Sequence, residues 1–591
     1  MARRGFTIIF TLLGAALVIS IAGFAALYFL VGREPSVPSN SILTLKIGGD
    51  LADVAPDDVV GYIRGVRTPT VRSIVDDLRK AKVDDRVSAV LIEPTGLDTP
   101  YWGKIDEIRD EILDFRTSGK PAYAYLEYGS QPDYYLASAA DKVFLMPSST
   151  LDFSGVATYE LFLRGALDKI GVYPDLHHIG NYKTASNTFT EKQYTAAHKE
   201  MDESLNRDVY DRIVKAVSTS RKKAEGEIQR AMDDGPFLAD QAVSRGLVDE
   251  LGYEDQVKEK LRAVAGAGQA RDMDGEEYAR VSVTSLGLDR GPRIAVIYVS
   301  GEIASGKSGY DPLNGAVLGS DTLISYIRAA RRDSSIRAII LRIDSPGGSA
   351  AASDAIWHEL MAAKKEHPDR PIVASMSDLA ASGGYYVALP ADTIVAEPGT
   401  LTGSIGIFGG KFVTGGLYEK LGANIQSASI GRHAEMESPA RPYNADELVK
   451  VQDELDAFYK QFITLVAQSR HSTPEKIDQI GQGRVWTGHQ AKDIGLVDEL
   501  GGLDRAIYFA KSAAKIASDS GVELVVYPPK RSFLELVSDE FSGAGDQASA
   551  GKWVSATLSA GEVDTLRVMR GPAAMFHRGE PLALMPFTFL R

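Results

Sequence analysis

The chain of 591 residues contains no cysteine. Thiol nucleophiles, cysteine-ligated zinc and disulfide bonds are therefore excluded, and the chain could enter an oxidising compartment without mispairing. It also lacks any segment in which Lys and Arg are concentrated, and its formal net charge is -14. Because nucleic-acid phosphates are bound by clustered basic side chains, we discount nucleic acid as a partner.

Charge is also absent from the 27 positions between Phe6 and Gly32. About 20 apolar residues suffice to cross a bilayer core as a helix, so this segment predicts one transmembrane helix. Arg3 and Arg4 precede it, which favours a cytoplasmic N-terminus and places everything after Arg33 on the opposite side. The alternative is a cleaved signal peptide, but the apolar core of such a peptide usually has about 7–15 residues, so we favour an uncleaved anchor.

The remaining sequence contains one pattern twice. The two copies align without a gap at a constant offset of 251 positions, which pairs Asp141 with Asp392, Pro147 with Pro398, Gly155 with Gly406, Gly171 with Gly422, and Gly180 with Gly431. After a slip of two residues, the run at 246–252 reappears at 495–501. These matches indicate a tandem duplication.

The duplication predicts an organisation in five segments. They are residues 1–40 (cytoplasmic N-terminus, anchor and spacer), 41–264 (first copy), 265–292 (linker), 293–527 (second copy) and 528–591 (a C-terminal extension without an assigned role). Within each copy, short runs rich in β-branched residues alternate with helical patterns. This alternation is typical of α/β domains with a largely parallel sheet.

The two copies differ at the residues that could carry chemistry. Ser382 opens a Ser-Gly-Gly motif in the second copy, where the first copy has Gln131. The serine follows a predicted strand and opens a predicted buried helix, so free backbone N–H groups beside it could stabilise an oxyanion. The alternative is a serine that only caps the helix.

A second motif supports the catalytic interpretation. A Ser-Pro-Gly-Gly turn ending in Gly347 and Gly348 directly follows a predicted strand, and the first copy has no equivalent. Such a turn can present backbone N–H groups to an acyl oxygen without an intervening side chain, although it is also an ordinary turn. Together with Gly383, which follows the serine, these glycines form a candidate oxyanion hole.

A serine nucleophile needs a base, and we favour Lys183. None of the nine histidines lies in a recognisable motif with an acid. In the second copy the position equivalent to Lys183 is Ala434, and His433 is the histidine nearest to it. An exposed lysine has a pKa of about 10.4, so Lys183 would have to be buried to be neutral near pH 7. The alternative is a solvated surface lysine.

The combined motifs resemble one known family. The chain has an N-terminal anchor, a doubled domain, Asn-Tyr-Lys-Thr-Ala at 181–185, Ser-Pro-Gly-Gly at 345–348, Ala-Ala-Ser-Gly-Gly-Tyr-Tyr at 380–386 and Leu-Thr-Gly-Ser-Ile-Gly at 401–406. In this it closely resembles the long form of bacterial signal peptide peptidase A, also called protease IV. The resemblance covers nearly the whole chain apart from the C-terminal extension.

The resemblance implies a fold and a catalytic site. The fold would be a duplicated Clp-protease/crotonase-like α/β domain. Ser382 would be the nucleophile, Lys183 the general base, and Ser404 the hydroxyl that orients the lysine. Backbone N–H groups of Gly383 and of Gly347 or Gly348 would form the oxyanion hole. The resemblance implies neither a cofactor nor a metal.

It also implies a setting. The substrates would be remnant signal peptides and other apolar peptides, cut on the periplasmic side of a bacterial inner membrane by a single-pass protein. The assembly would be a ring-like homotetramer. Because Gln131 and Ala434 replace the complementary partners, we expect one Ser-Lys dyad per chain. Whether its two residues meet within one chain or between two remains open.

Two other functions remain open from the sequence. A crotonase-like acyl-CoA enzyme would also use an oxyanion hole, although it would explain neither the anchor nor the serine before Gly-Gly. A non-catalytic, membrane-tethered scaffold would explain why the serine motif is missing from the first copy.

Overall fold

The computed structural model describes residues 34–53, 69–266, 271–311, 315–529, 581–586 and 589–590, together with Gly14. The predicted membrane helix at 6–32 lies outside this part of the chain apart from that glycine, as does most of the C-terminal extension. Within the described ranges, no helix has both the length and the apolar character needed to cross a bilayer.

The first copy forms an α/β unit. Its described strands are β1 (Ser41–Gly49), β2 (Val87–Leu97), β3 (Ala122–Leu126), β4 (Lys142–Leu145), β5 (Thr150–Leu151), β6 (Thr158–Tyr159), β7 (Tyr173–Ile179), β8 (Phe237–Leu238), β9 (Glu250–Leu251) and β10 (Asp272–Asp274). Its described helices are α1 (Val71–Val83), α2 (Gly103–Arg116), α3 (Gln131–Ala137), α4 (Arg164–Ile170), α5 (Asn187–Thr190), α6 (Ala196–Arg221), α7 (Glu225–Asp234), α8 (Ala239–Ser244), α9 (Glu254–Val264) and α10 (Gly275–Tyr278), with 3-10 turns at Thr184–Ser186 and Val283–Leu286.

The second copy forms a similar unit. Its described strands are β11 (Arg293–Ser300), β12 (Glu302–Ala304), β13 (Gly309–Asp311), β14 (Gly315–Gly319), β15 (Ile336–Ser345), β16 (Gly347–Ser349), β17 (Ile372–Ala381), β18 (Thr393–Ala396), β19 (Leu401–Gly403), β20 (Ile407–Val413), β21 (Val485–Thr487), β22 (Glu499–Leu500) and β23 (Glu523–Tyr527). Its described helices are α11 (Ser320–Arg332), α12 (Ala350–Glu366), α13 (Gly383–Ala388), α14 (Gly415–Lys420), α15 (Ala445–Ser469), α16 (Pro474–Ile480), α17 (Gly488–Asp493) and α18 (Leu503–Ala513). The extension adds strands β24 (Leu582–Leu584) and β25 (Phe589–Leu590).

Two parallel sheets share one strand order. The first runs β10-β1-β2-β3-β4-β9, and the second contains β23-β11-β15-β17-β18-β22, with β19 and antiparallel β21 added beside β17. Each strand of the first sheet thus has its counterpart at the same place in the second, as the repeat predicts. Residues 265–292, expected to be a linker, contribute β10, so the first sheet ends inside that segment.

The helices follow from their sequence patterns. In α15, the Asn444 side chain accepts hydrogen bonds from the backbone N–H groups of Asp446 and Glu447, and Glu447 reciprocates in a capping box. Val451, Leu455, Tyr459, Phe462 and Val466 recur at helical spacing and are buried. These side chains pack helix α15 against the buried core of the second copy.

A third sheet joins three parts of the chain. It has the order β13-β14-β12-β16-β24-β20-β7, so it contains strands of the second copy, one strand of the first copy and one strand of the C-terminal extension. Strand β7 pairs antiparallel with β20 along its whole length, from Tyr173 opposite Val413 to Ile179 opposite Ile407. This pairing brings the chain after β7 against the second copy.

Buried charges hold the two copies together. Arg342 on β15 is 2% exposed, lies 3.1 Å from the carboxylate of Asp53, contacts Glu107 on α2, and donates to Ser377 at 2.9 Å. Two carboxylates from the first copy thus meet one guanidinium from the second. Burial would lower the pKa of Arg342, but Asp53 and Glu107 raise it, so the guanidinium stays charged.

We expect Arg342→Met to destabilise the protein because it leaves two buried carboxylates without their cation. Removing one partner of a buried ion pair costs about 3–5 kcal/mol. The apparent free energy of unfolding in urea should fall by about this amount, and Arg337→Met, at an exposed position of the same strand, is the matched control. Equal stability of the two variants would contradict this role for Arg342.

Candidate active site

Ser382 lies at the junction between β17 and α13. Its backbone has φ of +55° and ψ of -112°, a conformation that costs a non-glycine residue about 1–3 kcal/mol. The Ser382 N–H donates to the carbonyl oxygen of Gly403 at 2.8 Å, and the Ser382 carbonyl accepts from Tyr386 N–H at 2.9 Å. The strand–serine–helix arrangement predicted from the sequence is therefore present, and the strained turn is held from both sides.

Close packing explains the two glycines after the serine. A Cβ on Gly383 would lie 2.6 Å from Ser353 Oγ, and a Cβ on Gly384 would lie 2.7 Å from the carbonyl oxygen of Ser345. Neither position leaves room for a side chain without displacement of α12 or of the Ser-Pro-Gly-Gly turn.

Lys183 lies just after β7, at the start of a 3-10 turn. The neighbouring Tyr182 N–H donates to the carbonyl of Gln482 at 2.8 Å. Gly483, with φ of +79°, packs so closely that a Cβ there would lie 2.5 Å from the backbone of Lys183. A loop of the second copy thus fixes the backbone of the lysine supplied by the first copy.

The two copies bring the predicted residues together within one chain. Lys183 Nζ lies 2.8 Å from Ser382 Oγ, 3.0 Å from Ser404 Oγ and 3.1 Å from the Ser404 carbonyl oxygen. Ser404 is itself held in a left-handed conformation with φ of +47°, and its N–H donates to the Arg484 carbonyl at 2.7 Å.

Burial controls the charge of this lysine. Lys183 is 0% exposed, and burial lowers its pKa well below the ordinary value; among the described residues no carboxylate opposes this effect. A neutral amine has two N–H donors and one lone pair. Its lone pair can accept the Ser382 hydroxyl hydrogen while its two N–H groups donate to the two oxygens of Ser404, so an unprotonated amine can make all three contacts.

The candidate oxyanion glycines lie beside the serine. Gly347 and Gly348 form β16 with φ of +106° and +147°, and a Cβ on Gly347 would lie 2.8 Å from the backbone nitrogen of Gly383. The Gly347 N–H donates to Ser345 Oγ at 3.2 Å. The N–H of Gly347 is therefore already engaged within its own turn.

The vacated positions in the two copies have other roles. Gln131 occupies the serine position of the first copy, and its side-chain amide bonds to both the N–H and the carbonyl of Gly155 at 3.0 and 2.9 Å. Ala434 occupies the lysine position of the second copy in an irregular segment. His433 lies 3.5 Å from Asp446 and makes no hydrogen bond to the serine in the described structure.

One group of potential metal ligands lies in the described part of the chain. Glu160, His198 and Asp202 place ligand atoms within 4.8 Å of one another. Burial lowers the pKa of His198 to about 4 and raises that of Asp202 to about 6, and Tyr194 donates to Asp202 at 2.9 Å. Neither His198 nor Asp202 hydrogen-bonds to Lys183 or Ser382, so this group is separate from the Lys183–Ser382 pair.

Sequence reasoning missed several residues of the site. The role of Ser345 is to accept a hydrogen bond from Gly347 N–H; Ser353 packs against Gly383, and Gly483 packs against the lysine backbone. The largest omission is β24, which lies in the site although it belongs to the unassigned extension. The short apolar run at 581–587 was the one available signal for it.

Comparisons with known proteins show to which family the chain belongs. Residues 114–268 and 364–517 each match the family model described as Peptidase family S49. The chain is 33% identical over 543 residues to the chloroplastic serine protease SPPA of Arabidopsis thaliana, covering 91% of this chain and 78% of that protein. It is 36% identical over 489 residues to Protease 4 of Salmonella typhi, covering 80% and 76% respectively.

A further relative is Protease 4 of Haemophilus influenzae, 30% identical over 514 residues, with 83% of this chain and 82% of that protein covered. Among solved structures, a mutant of ClpP1 from Listeria monocytogenes is 16% identical, covers 35% of this chain and 92% of that chain, and has a TM-score of 0.23, too low to carry an argument. The sequence resemblance is thus confirmed by the family matches and the relatives. With its family domain present twice, the chain belongs to peptidase family S49 and is a serine protease.

Proposed function

We propose that this protein is a membrane-anchored endopeptidase in which Ser382 is the nucleophile and Lys183 the general base. One observation carries the proposal: a fully buried lysine amine, without a carboxylate beside it, lies 2.8 Å from the hydroxyl of a strained serine. Perturbed ionisable groups beside a potential nucleophile are a mark of active sites.

The mechanism follows from these contacts. Neutral Lys183 takes the Ser382 proton as Oγ attacks the scissile carbonyl, and the N–H groups of Gly348 and Gly383 stabilise the resulting oxyanion. The Lys183 ammonium then protonates the leaving amine. Water then hydrolyses the acyl-serine with Lys183 again as the base. Ser404 keeps the amine oriented toward Ser382 during both acylation and deacylation.

The cellular setting is part of the same proposal. The uncharged run at 6–32 would anchor the chain in a bacterial inner membrane with the catalytic domains on the periplasmic side. Substrates would be remnant signal peptides and other apolar peptides, as the resemblance to signal peptide peptidases implies. The anchor would keep the site close to a bilayer in which such peptides remain.

Assembly into a homo-oligomer is supported by the repeat. Within the chain, β7 of the first copy pairs with β20 of the second copy. At the offset of 251, the position equivalent to β7 in the second copy is 424–430, and the position equivalent to β20 in the first copy is 156–162. Residues 424–430 are exposed and form neither helix nor strand, and Ile430 is 100% exposed. We expect this segment to pair with 156–162 of a neighbouring copy, displacing β25 from β6, so that head-to-tail contacts close a ring. The number four rests on the resemblance.

The rival functions make different demands. An acyl-CoA enzyme needs an oxyanion hole but no serine nucleophile, so the buried lysine beside Ser382 would have no task in it. A scaffold would have no reason to bury this lysine, since burial of an amine without a counter-charge is unfavourable. Both alternatives therefore leave the Lys183 contacts unexplained.

We expect Ser382→Ala and Lys183→Met each to reduce cleavage of apolar signal-peptide fragments at least about 10³-fold, because each removes one half of the nucleophile–base pair. Cleavage by the full chain in detergent is followed by mass spectrometry. Ser325→Ala and Lys199→Met, at exposed positions, are the matched controls. Activity retained by either site variant would exclude the dyad.

The pH dependence should report the lowered pKa of Lys183. Because only the neutral amine is a base, kcat/KM should rise with pH through the folded-state pKa of Lys183 and level off well below about 10.4. A profile that begins to rise only near the ordinary lysine pKa would contradict a buried, neutral amine.

The same titration should appear in stability. A lysine whose pKa is lower in the folded than in the unfolded protein reduces the free energy of unfolding at low pH, because the folded state binds the proton less tightly. This reduction becomes smaller as pH rises from the folded-state pKa toward about 10.4. Lys183→Met should therefore be more stable than the wild type at neutral pH, with a difference that shrinks in alkaline solution.

Ser427→Pro should reduce the assembly to smaller species, because proline removes an N–H donor from the proposed intersubunit strand. Light scattering on the detergent-solubilised protein measures the oligomeric mass. Ser427→Ala keeps the backbone donor and should assemble as the wild type does. An unchanged mass for the proline variant would rule out this interface.

A further inference from the structure

Three potential metal ligands meet at the first turns of helix α6. His198 and Asp202 are four residues apart, so they lie on one face of the helix, and Glu160 directly follows strand β6. His198 Nε2 lies 3.8 Å from Asp202 Oδ2, and one ligand atom of each of the three residues lies within 4.8 Å of the other two. Ligand atoms bound to a tetrahedral Zn²⁺ at about 2.1 Å lie about 3.4 Å from one another, so the three side chains are close to that spacing.

A neighbouring hydrogen bond explains how Glu160 comes to lie there. The Thr158 hydroxyl on β6 donates to Asn206 Oδ1 at 2.7 Å. Asn206 is one turn beyond Asp202 on the same face of α6. Strand β6 is therefore fixed to this face of the helix two residues before Glu160, which brings the third ligand to the other two.

His198 is buried without satisfying its ring nitrogens. The residue is 1% exposed, and within the described parts of the chain neither ring nitrogen has a hydrogen-bond partner. Asp202 is 3% exposed, and its Oδ1 also lacks a hydrogen bond among the described residues. Because buried polar atoms are nearly always bonded, these adjacent exceptions point to a ligand that binds an imidazole nitrogen and a carboxylate oxygen at once.

The surroundings hold both ligands in place. The rings of Phe162 and Tyr194 pack edge-on to the His198 ring, with centroids 6.0 and 4.9 Å away. The Tyr194 hydroxyl donates to Asp202 Oδ2 at 2.9 Å, which leaves Oδ1 for another partner. A hydrogen bond that orients a ligating carboxylate is a regular feature of the outer shell of protein metal sites.

We propose that His198, Asp202 and Glu160 bind one Zn²⁺ ion, which fastens β6 to the start of α6. One imidazole nitrogen combined with carboxylate oxygens suits Zn²⁺, whereas Mg²⁺ and Ca²⁺ prefer oxygen ligands alone. Water would complete the coordination of an ion with three protein ligands. The site goes beyond the proposed function, because the Lys183–Ser382 pair does not take part in it.

The proposed ion would stabilise the helix where it contacts the second copy. Met201, between His198 and Asp202 in sequence, packs with Leu379 and Ala381 at the end of β17. The Val485 N–H also contacts Met201 Sδ at 3.3 Å. An ion that binds the folded chain raises its apparent stability, so the melting temperature should rise with the Zn²⁺ concentration.

Zinc binding by the full chain in detergent tests the proposal. After removal of metal with a chelator, the wild type should bind one Zn²⁺ per chain in calorimetric titration, and elemental analysis should give the same stoichiometry. His198→Leu and Asp202→Asn should each weaken binding at least about 100-fold, and Tyr194→Phe, which keeps the ring but loses the bond to Asp202, about 10-fold. His358→Leu and Asp211→Asn, at exposed positions, are the matched controls.

A further variant covers the case in which the buried substitutions prevent folding. Glu160 is only partly buried, so Glu160→Gln should fold and should still weaken Zn²⁺ binding at least about 10-fold. Ser382→Ala lacks the proposed nucleophile and should bind Zn²⁺ like the wild type, which separates this site from the proposed peptidase chemistry.

Three results would overturn the zinc site. They are a wild type without saturable Zn²⁺ binding, binding that the folded ligand variants retain at full strength, and displacement of Zn²⁺ by a comparable concentration of Ca²⁺. None of them would bear on the Lys183–Ser382 pair. Conversely, a chain that binds Zn²⁺ as expected but cleaves no peptide would overturn the proposed function and leave the zinc site in place.

Discussion

The burial of one amine without a counter-charge is the constraint on which the site depends. Lys183 Nζ is enclosed by oxygen atoms of Ser382 and Ser404, and no carboxylate from the described part of the chain lies beside it. In water the amine would carry a proton and could not act as a base; desolvation reverses that preference. An acid placed near it, as in a Ser-His-Asp site, would restore the charge and remove the base, so here the absence of an acid is part of the chemistry.

The duplicated fold explains how such an enclosure is built. Each copy supplies a parallel sheet of the same strand order, and a third sheet joins them through the pairing of β7 with β20. One copy contributes Lys183, the proposed base, and the other contributes Ser382, the proposed nucleophile, so the enclosure of the pair requires both copies. Lys104 reinforces the contact because its ammonium lies 2.7 Å from Asp344, just before the turn that carries Gly347 and Gly348.

Part of this could be read from the sequence, because the relevant signals were local or repeated. The strand before Ser382, the glycines after it and helix α15 all follow from spacing and residue type. Lys183 emerged from comparing the copies, since the same position in the other copy is alanine. The proposed chemistry requires this lysine to be buried, but the sequence does not show which residues bury it. The structure shows that residues of the second copy do so.

What the sequence could not supply was long-range backbone pairing. Strand β10 has only three residues, two of them aspartates, so its composition indicates a linker. Strand β24 binds through main-chain hydrogen bonds more than 230 positions from its partner β16, and nothing in the partner's Ser-Pro-Gly-Gly sequence specifies Leu-Ala-Leu. Gly483 could not be predicted for a similar reason: only glycine fits at this position because the backbone of Lys183, a residue of the other copy, packs against it.

The ionisation of Lys183 in the folded protein is the most direct test of this account. The ¹³Cε resonance of Lys183, assigned by its loss in Lys183→Met and followed by NMR as pH is raised, gives the pKa of the amine without reference to any substrate. The account predicts an amine that loses its proton well below the ordinary lysine pKa of about 10.4, because burial disfavours the charged form. A resonance that titrates only near 10.4 would mean that the amine remains protonated beside Ser382, and the site would have no base.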